Sequence, residues 1–343
     1  MIVLAAGLIS GCKTKPPPTH AEVRQQALTN VLIPDAWTAG GQTGSVTGNW
    51  LTTFNDPQLE TLVREAAINN PDLRVSAARV EQAQHYVELA KAALRPAINF
   101  VGTGGLRGGG GSDISSALQG AMLAVSWEPD LWGRLRYGRN AAQATYGSAQ
   151  ADYEFARQSI AATTAKSWFT ASETWLQQQL AADMVKSSEE LLSLANKRLQ
   201  VGAGNDQDVA LADASLGGFQ DSAKQFQLAH QQTLRALELL LGRYPAAELR
   251  SREKLAALPG PVPAGMPLEV LERRPDMIAA ERRVAAAFHR VGEAKAARLP
   301  KITLNASVAA ITSEVVELKS DFENPTTGAG ARLVAPIYQG GAL

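Results

Sequence analysis

The spacing of apolar and polar positions changes period several times along the chain, and each change predicts an element. From Ile302 to Val308 the two kinds of residue alternate strictly, as Ile302-Thr303-Leu304-Asn305-Ala306-Ser307-Val308. That period of two marks a strand with one apolar face and one wet face. A weaker version runs from Ala121 to Trp127, where Leu123, Val125 and Trp127 alternate with Met122, Ala124 and Ser126. Strands are expected at about 97–103, 118–127, 302–311 and 330–337. Segments of this length and pattern suit a soluble hairpin and a membrane β-barrel equally, because the signal of each barrel strand is weak.

Between the two pairs of strands the chain reads as helix. No proline occurs from Asp130 to Tyr244, and residues 148–201 contain neither glycine nor proline. That stretch alone would form a helix roughly 80 Å long, far beyond the usual three or four turns. Heptad-spaced pairs such as Trp168 and Trp175, Phe169 and Leu176, and Leu192 and Leu199 suggest coiled-coil packing against neighbours. The pattern breaks at Val201-Gly202-Ala203-Gly204-Asn205-Asp206, where glycine can take the left-handed cap and Asn or Asp can cap the next helix. A second helix, about Asp206 to Leu241, then ends at Gly242 with Pro245 just beyond. Together they predict a long antiparallel hairpin over about 134–241, its turn far from the strands.

An internal repeat organises these elements. Residues 71–98 align without gaps on residues 275–302, an offset of 204, with 13 identities in 28 positions. The identities include Pro71/Pro275, Asp72/Asp276, His85/His289 and Pro96/Pro300. Each copy opens on a Pro-Asp pair suited to the first turn of a helix. An Ala-rich helix, about 275–298 in the second copy, then runs until a proline stops it. The equivalence of His85 and His289 points to a duplicated packing role. The first repeat spans about 57–260 and the second begins at about 261. By the same offset the second unit would extend to about residue 464, so residues 261–343 hold a truncated copy without its long hairpin. Without that hairpin, the apolar stripes around Trp168, Trp175 and Leu192 are expected to lose a large share of their packing partners.

Composition narrows the function. The chain has 343 residues, with 33 Lys+Arg against 33 Asp+Glu, and lacks the basic surplus that phosphate neutralisation needs, so no nucleic-acid partner is expected. Four His and one Cys supply too few soft ligands for a Cys-based zinc site and no intramolecular disulfide. No uninterrupted run of 18 or more apolar residues occurs, so no membrane-crossing helix is expected. Seven glycines lie between Gly102 and Ser112, but no Gly-Lys-Ser/Thr follows, so a flexible hairpin loop fits better than a phosphate-binding one. No catalytic, cofactor-binding or metal site emerges. The N-terminus is more informative. Ile2 to Ile9 form a short apolar run ending in Leu8-Ile9-Ser10-Gly11-Cys12, which reads as a lipoprotein signal peptide over 1–11 with Cys12 as the lipidated residue, although no Lys or Arg precedes the run. Two or more acyl chains would anchor the chain firmly in a membrane. Residues 12–56 then form an N-terminal linker, and the prolines at 16–18 behave as an extended spacer.

The motifs now carry a resemblance. Trp50, Phe54-Asn55-Asp56-Pro57, Leu59 and Leu62 are followed by Asn70-Pro71-Asp72-Leu73 and by Trp127-Glu128-Pro129-Asp130-Leu131-Trp132-Gly133-Arg134. Further on stand Arg198-Leu199, Gly202, Asp208-Val209, Leu240-Leu241-Gly242, Arg273-Arg274-Pro275-Asp276, and Pro336-Ile337-Tyr338 with Gly340-Gly341. This succession, from about residue 30 to the end, resembles the outer-membrane efflux proteins, and within them the NodT-type lipoprotein branch related to TolC. The resemblance implies a mostly helical fold with membrane β-strands. In it a homotrimer shares a twelve-stranded β-barrel, four strands per subunit, and a periplasmic α-barrel of long helical hairpins. It implies an exit duct in the cell outer membrane that passively conducts solutes delivered by an inner-membrane pump of the RND type through a periplasmic adaptor. Apolar strand residues would face outer-membrane lipid, with Thr303, Asn305 and Ser307 toward the lumen. Carried over by motif, the adaptor would dock on Arg198, Leu199, Val201, Gly202, Ala203, Gly204 and Asp208. Three other readings compete: a periplasmic adaptor, a structural coiled-coil lipoprotein and a type I protein-secretion duct. An adaptor would carry one hairpin flanked by two halves of a small β-domain, whereas this chain repeats helix plus strands at a fixed offset.

Overall fold

The computed structural model describes residues 14–27, 29–30, 48, 50–103, 118–260, 272–313 and 325–342. Six α-helices and four strands are found among them. They are α1 His20–Ala27, α2 Pro57–Asn69, α3 Pro71–Ala92, β1 Ala97–Thr103, β2 Leu118–Trp127, α4 Arg134–Gln200, α5 Asp206–Leu240, α6 Pro275–Ala297, β3 Lys301–Ser313 and β4 Thr326–Val334, with a 3-10 turn at Trp50–Phe54. The chain divides into two compact units. One takes residues 1–31, 80–150 and 278–343, and the other takes 32–79 and 151–277.

The first unit holds the sheet. Its order is β1-β2-β3-β4 and every pair is antiparallel, so β1–β2 from the first repeat joins β3–β4 from the second. β3 begins and ends slightly beyond the expected 302–311. β4 is a correction: the sequence pattern suggested 330–337, but the strand runs from Thr326 to Val334. Thr326 and Thr327 extend the pairing to Ala309 and Val308, and the chain leaves the ladder before Pro336, which has no N–H to donate. Pro336-Ile337-Tyr338 therefore lies past the strand. The helical part of this unit packs the start of α4 on α6, with the Tyr137 ring lying where a side chain at Gly292 would sit.

The second unit is built on a three-helix core. Leu59, Leu62, Val63 and Ala66 of α2 meet Ala165 and Trp168 of α4, and Leu237 of α5 with Leu241 just after it. These positions of α2 recur at i, i+3, i+4 and i+7, the single apolar stripe of a half-buried helix. Trp168 is therefore buried against α2 and α5, while its heptad mate Trp175 is only half-buried. α4 has 67 residues, roughly 100 Å of helix at 1.5 Å per residue. It begins at Arg134, where the hairpin was expected to start, and takes Gly138 and Gly147 into the helix. α1 falls within the stretch expected to be linker. It is stabilised by a reciprocal cap, in which the Thr19 N–H donates to Glu22 Oε2 (2.7 Å) and the Glu22 N–H to Thr19 Oγ1 (3.3 Å).

Candidate functional site

The sheet carries the first functional feature, and its register defines it. Cross-strand partners share a face. Phe100 pairs with Leu123, Leu123 with Val308 and Val308 with Thr327, while Ile98 pairs with Val125, Val125 with Ala306 and Ala306 with Ala329. Trp127, Leu304 and Ala331, then Ile302 and Leu333, continue the same face. The opposite face reads Asn99, Ala124, Ser307 and Gly328 in one row and Ala97, Ser126, Asn305 and Gly330 in the next. Thr303 and Arg332 follow as a direct pair. One face is therefore mostly aliphatic and aromatic, and the other is small and polar in its central rows, with Val101, Met122 and Ile311 on it toward one end and Val334 toward the other. The apolar face stands open: Ile98, Phe100 and Leu333 are 67%, 73% and 66% exposed. A soluble sheet buries that face, and a lipid-facing sheet shows it outward. Among the described residues the two outer strands, β1 and β4, each present an unpaired edge. Hydrocarbon does not tolerate open sheet edges.

The second feature is the turn joining α4 to α5. Val201 N–H donates to Lys197 O, Gly202 N–H to Leu199 O and Ala203 N–H to Arg198 O, so the last carbonyls of α4 are satisfied by the turn itself. Gly202 has φ +73°, the left-handed region in which an L side chain is strained. A side chain at Gly204 would meet Arg198 Cβ and the Leu199 backbone at 3.2 Å. Asn205 caps α5 by accepting from the Asp208 N–H at 2.8 Å. The seven docking candidates are thus brought together at one end of the hairpin. Val201 is the most exposed apolar side chain there, at 77%. Arg198, Gly204 and Asp208 line one groove between α4 and α5 with Leu191, Leu194 and Leu211. Cys12 and the glycine-rich segment 104–117 lie outside the described residues.

The remaining motif residues turn out to be joints, which the spacing alone did not reveal. Asp56 is 4% exposed and caps α2 through the N–H groups of Gln58 and Leu59. Its second oxygen accepts from Trp168 Nε1 at 2.9 Å and from Arg252 at 3.2 Å. Asn70 Oδ1 accepts from the Asp72 and Leu73 N–H groups, while its Nδ2 donates to Leu240 O at the end of α5. In the second repeat Arg274 stands at that position and pairs with Asp276 instead (2.6 Å). Buried Glu238 accepts from three successive N–H groups, those of Ala247, Glu248 and Leu249. At the junction of helices and sheet, Trp127 Nε1 donates to Leu94 O and Trp132 Nε1 to Pro300 O, one indole for each repeat's helix-to-strand link. Glu128 there accepts from Arg134 and pairs with Lys301 at 2.9 Å.

The histidine equivalence does not hold as a shared packing role. His289 is buried beside Phe288 and Tyr137, with Nδ1 unpartnered among the described residues. Burial holds its imidazole below the ordinary histidine pKa. His85 is 75% exposed in its side chain, with Glu81 at 3.8 Å. No described helix covers that side of α3, so the same residue has nothing to pack on.

An open sheet with one lipid-compatible face, joined to a long helical hairpin, defines the TolC-like outer membrane channel fold. Solved channels of this fold superpose on the chain: CmeC of Campylobacter jejuni with a TM-score of 0.81 over 97% of this chain and 71% of that one, at 22% identity. OprN gives 0.74 over 94% and 73%, at 25% identity. The sequence profile "Outer membrane efflux protein" matches residues 62–243 and 266–343, and the chain belongs to that family. Among its relatives, the probable efflux pump outer membrane protein TtgC of Pseudomonas putida is 29% identical over 86% of this chain. The pyoverdine export outer membrane protein OpmQ of the same species is 30% identical over the whole of this chain and 73% of its own length. The chain spans 62% of the length of TtgC.

Proposed function

We propose that the protein is the outer-membrane exit duct of a tripartite efflux system, conducting solutes passively rather than transforming them. The observation that carries this reading is the partition of the sheet. In the central rows of the sheet Ile98, Phe100, Leu123, Val125, Trp127, Ile302, Leu304, Val308 and Leu333 share one face, while Asn99, Ser126, Thr303, Asn305 and Ser307 share the other, the partition expected of a barrel between lipid and a water-filled lumen. An up-and-down sheet of four strands closes antiparallel with its own copies, β4 of one against β1 of the next, so a homotrimer gives a twelve-stranded barrel without edges. Efflux roles in the names of TtgC and OpmQ support the same reading.

The partners follow from it: a periplasmic adaptor at the α4–α5 turn and an inner-membrane pump of the RND type, which supplies the energy. Arg198, Leu199, Val201, Gly202, Ala203, Gly204 and Asp208 form the docking surface. The left-handed backbone at Gly202, with open space around it, lets a partner approach the main chain closely. Cys12 anchors the chain to the outer membrane through its acyl chains. Labelled palmitate should enter the wild type and not Cys12→Ser. The two repeats, 57–260 and from 261 onward, each bring one pair of strands to the barrel.

The test is export. In a strain lacking its outer-membrane duct but retaining pump and adaptor, the full-length gene product should restore resistance to an exported compound. Gly202→Trp should assemble normally yet fail to restore it. Resistance equal to wild type with Gly202→Trp would place docking elsewhere, and no rescue by wild type would count against the duct.

A further inference from the structure

The strands of a barrel lumen set the charge that a permeating solute meets, and here that charge is one-sided. Among the four strands only two residues are charged, Lys301 and Arg332, and both are basic. Both stand on the small polar face. Arg332 is directly opposite Thr303, and Lys301 is on the same strand face as Thr303 and Asn305. Their environments differ. The Lys301 ammonium is held by Glu128 at 2.9 Å, and the same carboxylate also binds Arg134. Arg332 is exposed, and no ion pair or hydrogen bond to its guanidinium is found among the described residues. Its same-face neighbours along and across the strands are Gly330, Val334, Thr303, Asn305 and Lys301, of which only Lys301 is charged, and that ammonium is held by Glu128. Gly328 and Gly330 leave the face beside it without side-chain bulk. A guanidinium is not neutralised by deprotonation in proteins, so its charge persists.

We infer that Arg332 is the charge-selecting residue of the barrel lumen and that it biases permeation toward anionic solutes. This rests on the duct reading given above. Rotational closure of identical subunits puts the three copies of Arg332 at one level of the barrel, forming a cationic ring. Among the described residues the acid at that end of the sheet, Glu128, is shared between two other cations. Rings of like-charged side chains are a known way to select permeant ions by charge.

The experiment is a reversal-potential measurement on the full-length protein in planar bilayers under a KCl gradient. Wild-type pores should favour chloride. Arg332→Lys should keep that preference and Arg332→Gln should reduce it. Arg332→Glu should move the chloride-to-potassium permeability ratio toward potassium by at least roughly threefold, the effect of one unit charge acting through about 7 Å of water. The preference should fade at high salt, as the Debye length drops from about 10 Å at 0.1 M to about 3 Å at 1 M. Conducting Arg332→Glu pores with the wild-type reversal potential would overturn the inference. If that variant does not insert, Arg332→Gln is read by the same criterion. Arg332→Cys adds a measurement of position: a water-soluble cationic thiol reagent should modify it in the open pore and restore chloride preference. Failure of the reagent to change the current would also overturn the inference. A wild-type trimer that conducts nothing is a different outcome, since it removes the duct itself.

Discussion

At the scale of single residues, the motifs that identify this chain act as fastenings. Asp56 is the clearest, since one carboxylate caps α2, receives the Trp168 indole N–H from α4 and pairs with Arg252 beyond α5. Asp56→Ala removes an N-cap, worth about 0.5–2 kcal/mol. It also leaves the Trp168 N–H buried without an acceptor, a further loss of about 1–3 kcal/mol. A drop of about 2–4 kcal/mol in urea unfolding is expected, with Asp56→Asn markedly milder because it keeps an acceptor oxygen. Equal losses for the two would mean that the indole contact contributes nothing. His289 supplies a pH dependence whose sign is fixed by its burial. Its folded-state pKa lies below the ordinary value near 6.5, so the unfolded chain takes up the proton first as the medium acidifies. The corresponding stability is fully present above about pH 6.5 and is lost as pH falls below it. His230, held below its usual value by burial as well, acts in the same direction. His289→Leu should therefore flatten the loss of urea stability between pH 7.5 and 5. An unchanged slope would assign the acid sensitivity to other groups.

At the scale of elements, helices were legible because their ends are written in local chemistry. Pro71 and Pro275 begin α3 and α6, and Gly202 and Asn205 divide α4 from α5, as their backbone preferences dictate. Strands β1 and β2 were readable less directly, β2 from a weak alternation and both from the glycine run that separates them. The end of β4 was not, since Thr-Thr-Gly-Ala-Gly-Ala has little amphipathic contrast and only pairing with β3 fixes its register. The burial partners of Trp168 were hidden for another reason. Its heptad spacing with Trp175 suggested a neighbour helix, whereas contacts with α2, more than 100 residues away, are a tertiary fact with no local trace. The same logic explains His85 and His289, which share a sequence position but not a neighbour. The two faces of β3 make opposite predictions one residue apart. Val308→Arg places a cation on the apolar face, which near the middle of a bilayer costs about 2–4 kcal/mol. It should abolish a detergent-resistant trimer. Ser307→Arg, on the polar face, should leave the trimer intact and lower its single-channel conductance. The same outcome for both substitutions would refute the face assignment.

At the scale of the whole molecule, the repeat explains why one chain supplies two hairpins of strand to a single sheet, the second pair arriving 204 residues after the first. That duplication was visible in the sequence, as was the long helical hairpin. The proposed closure with other copies was less direct: it rests on two sheet edges unpaired among the described residues and on an apolar face that those residues leave uncovered. Both features are resolved together by closing a barrel in lipid, and neither is resolved by a soluble monomer. Ion conductance of the purified full-length protein in a planar bilayer addresses this most directly. Discrete current steps that scale with salt concentration, from a protein migrating as a trimer, are the expected result. A folded, membrane-inserted trimer that passes no current at any applied voltage would contradict the account.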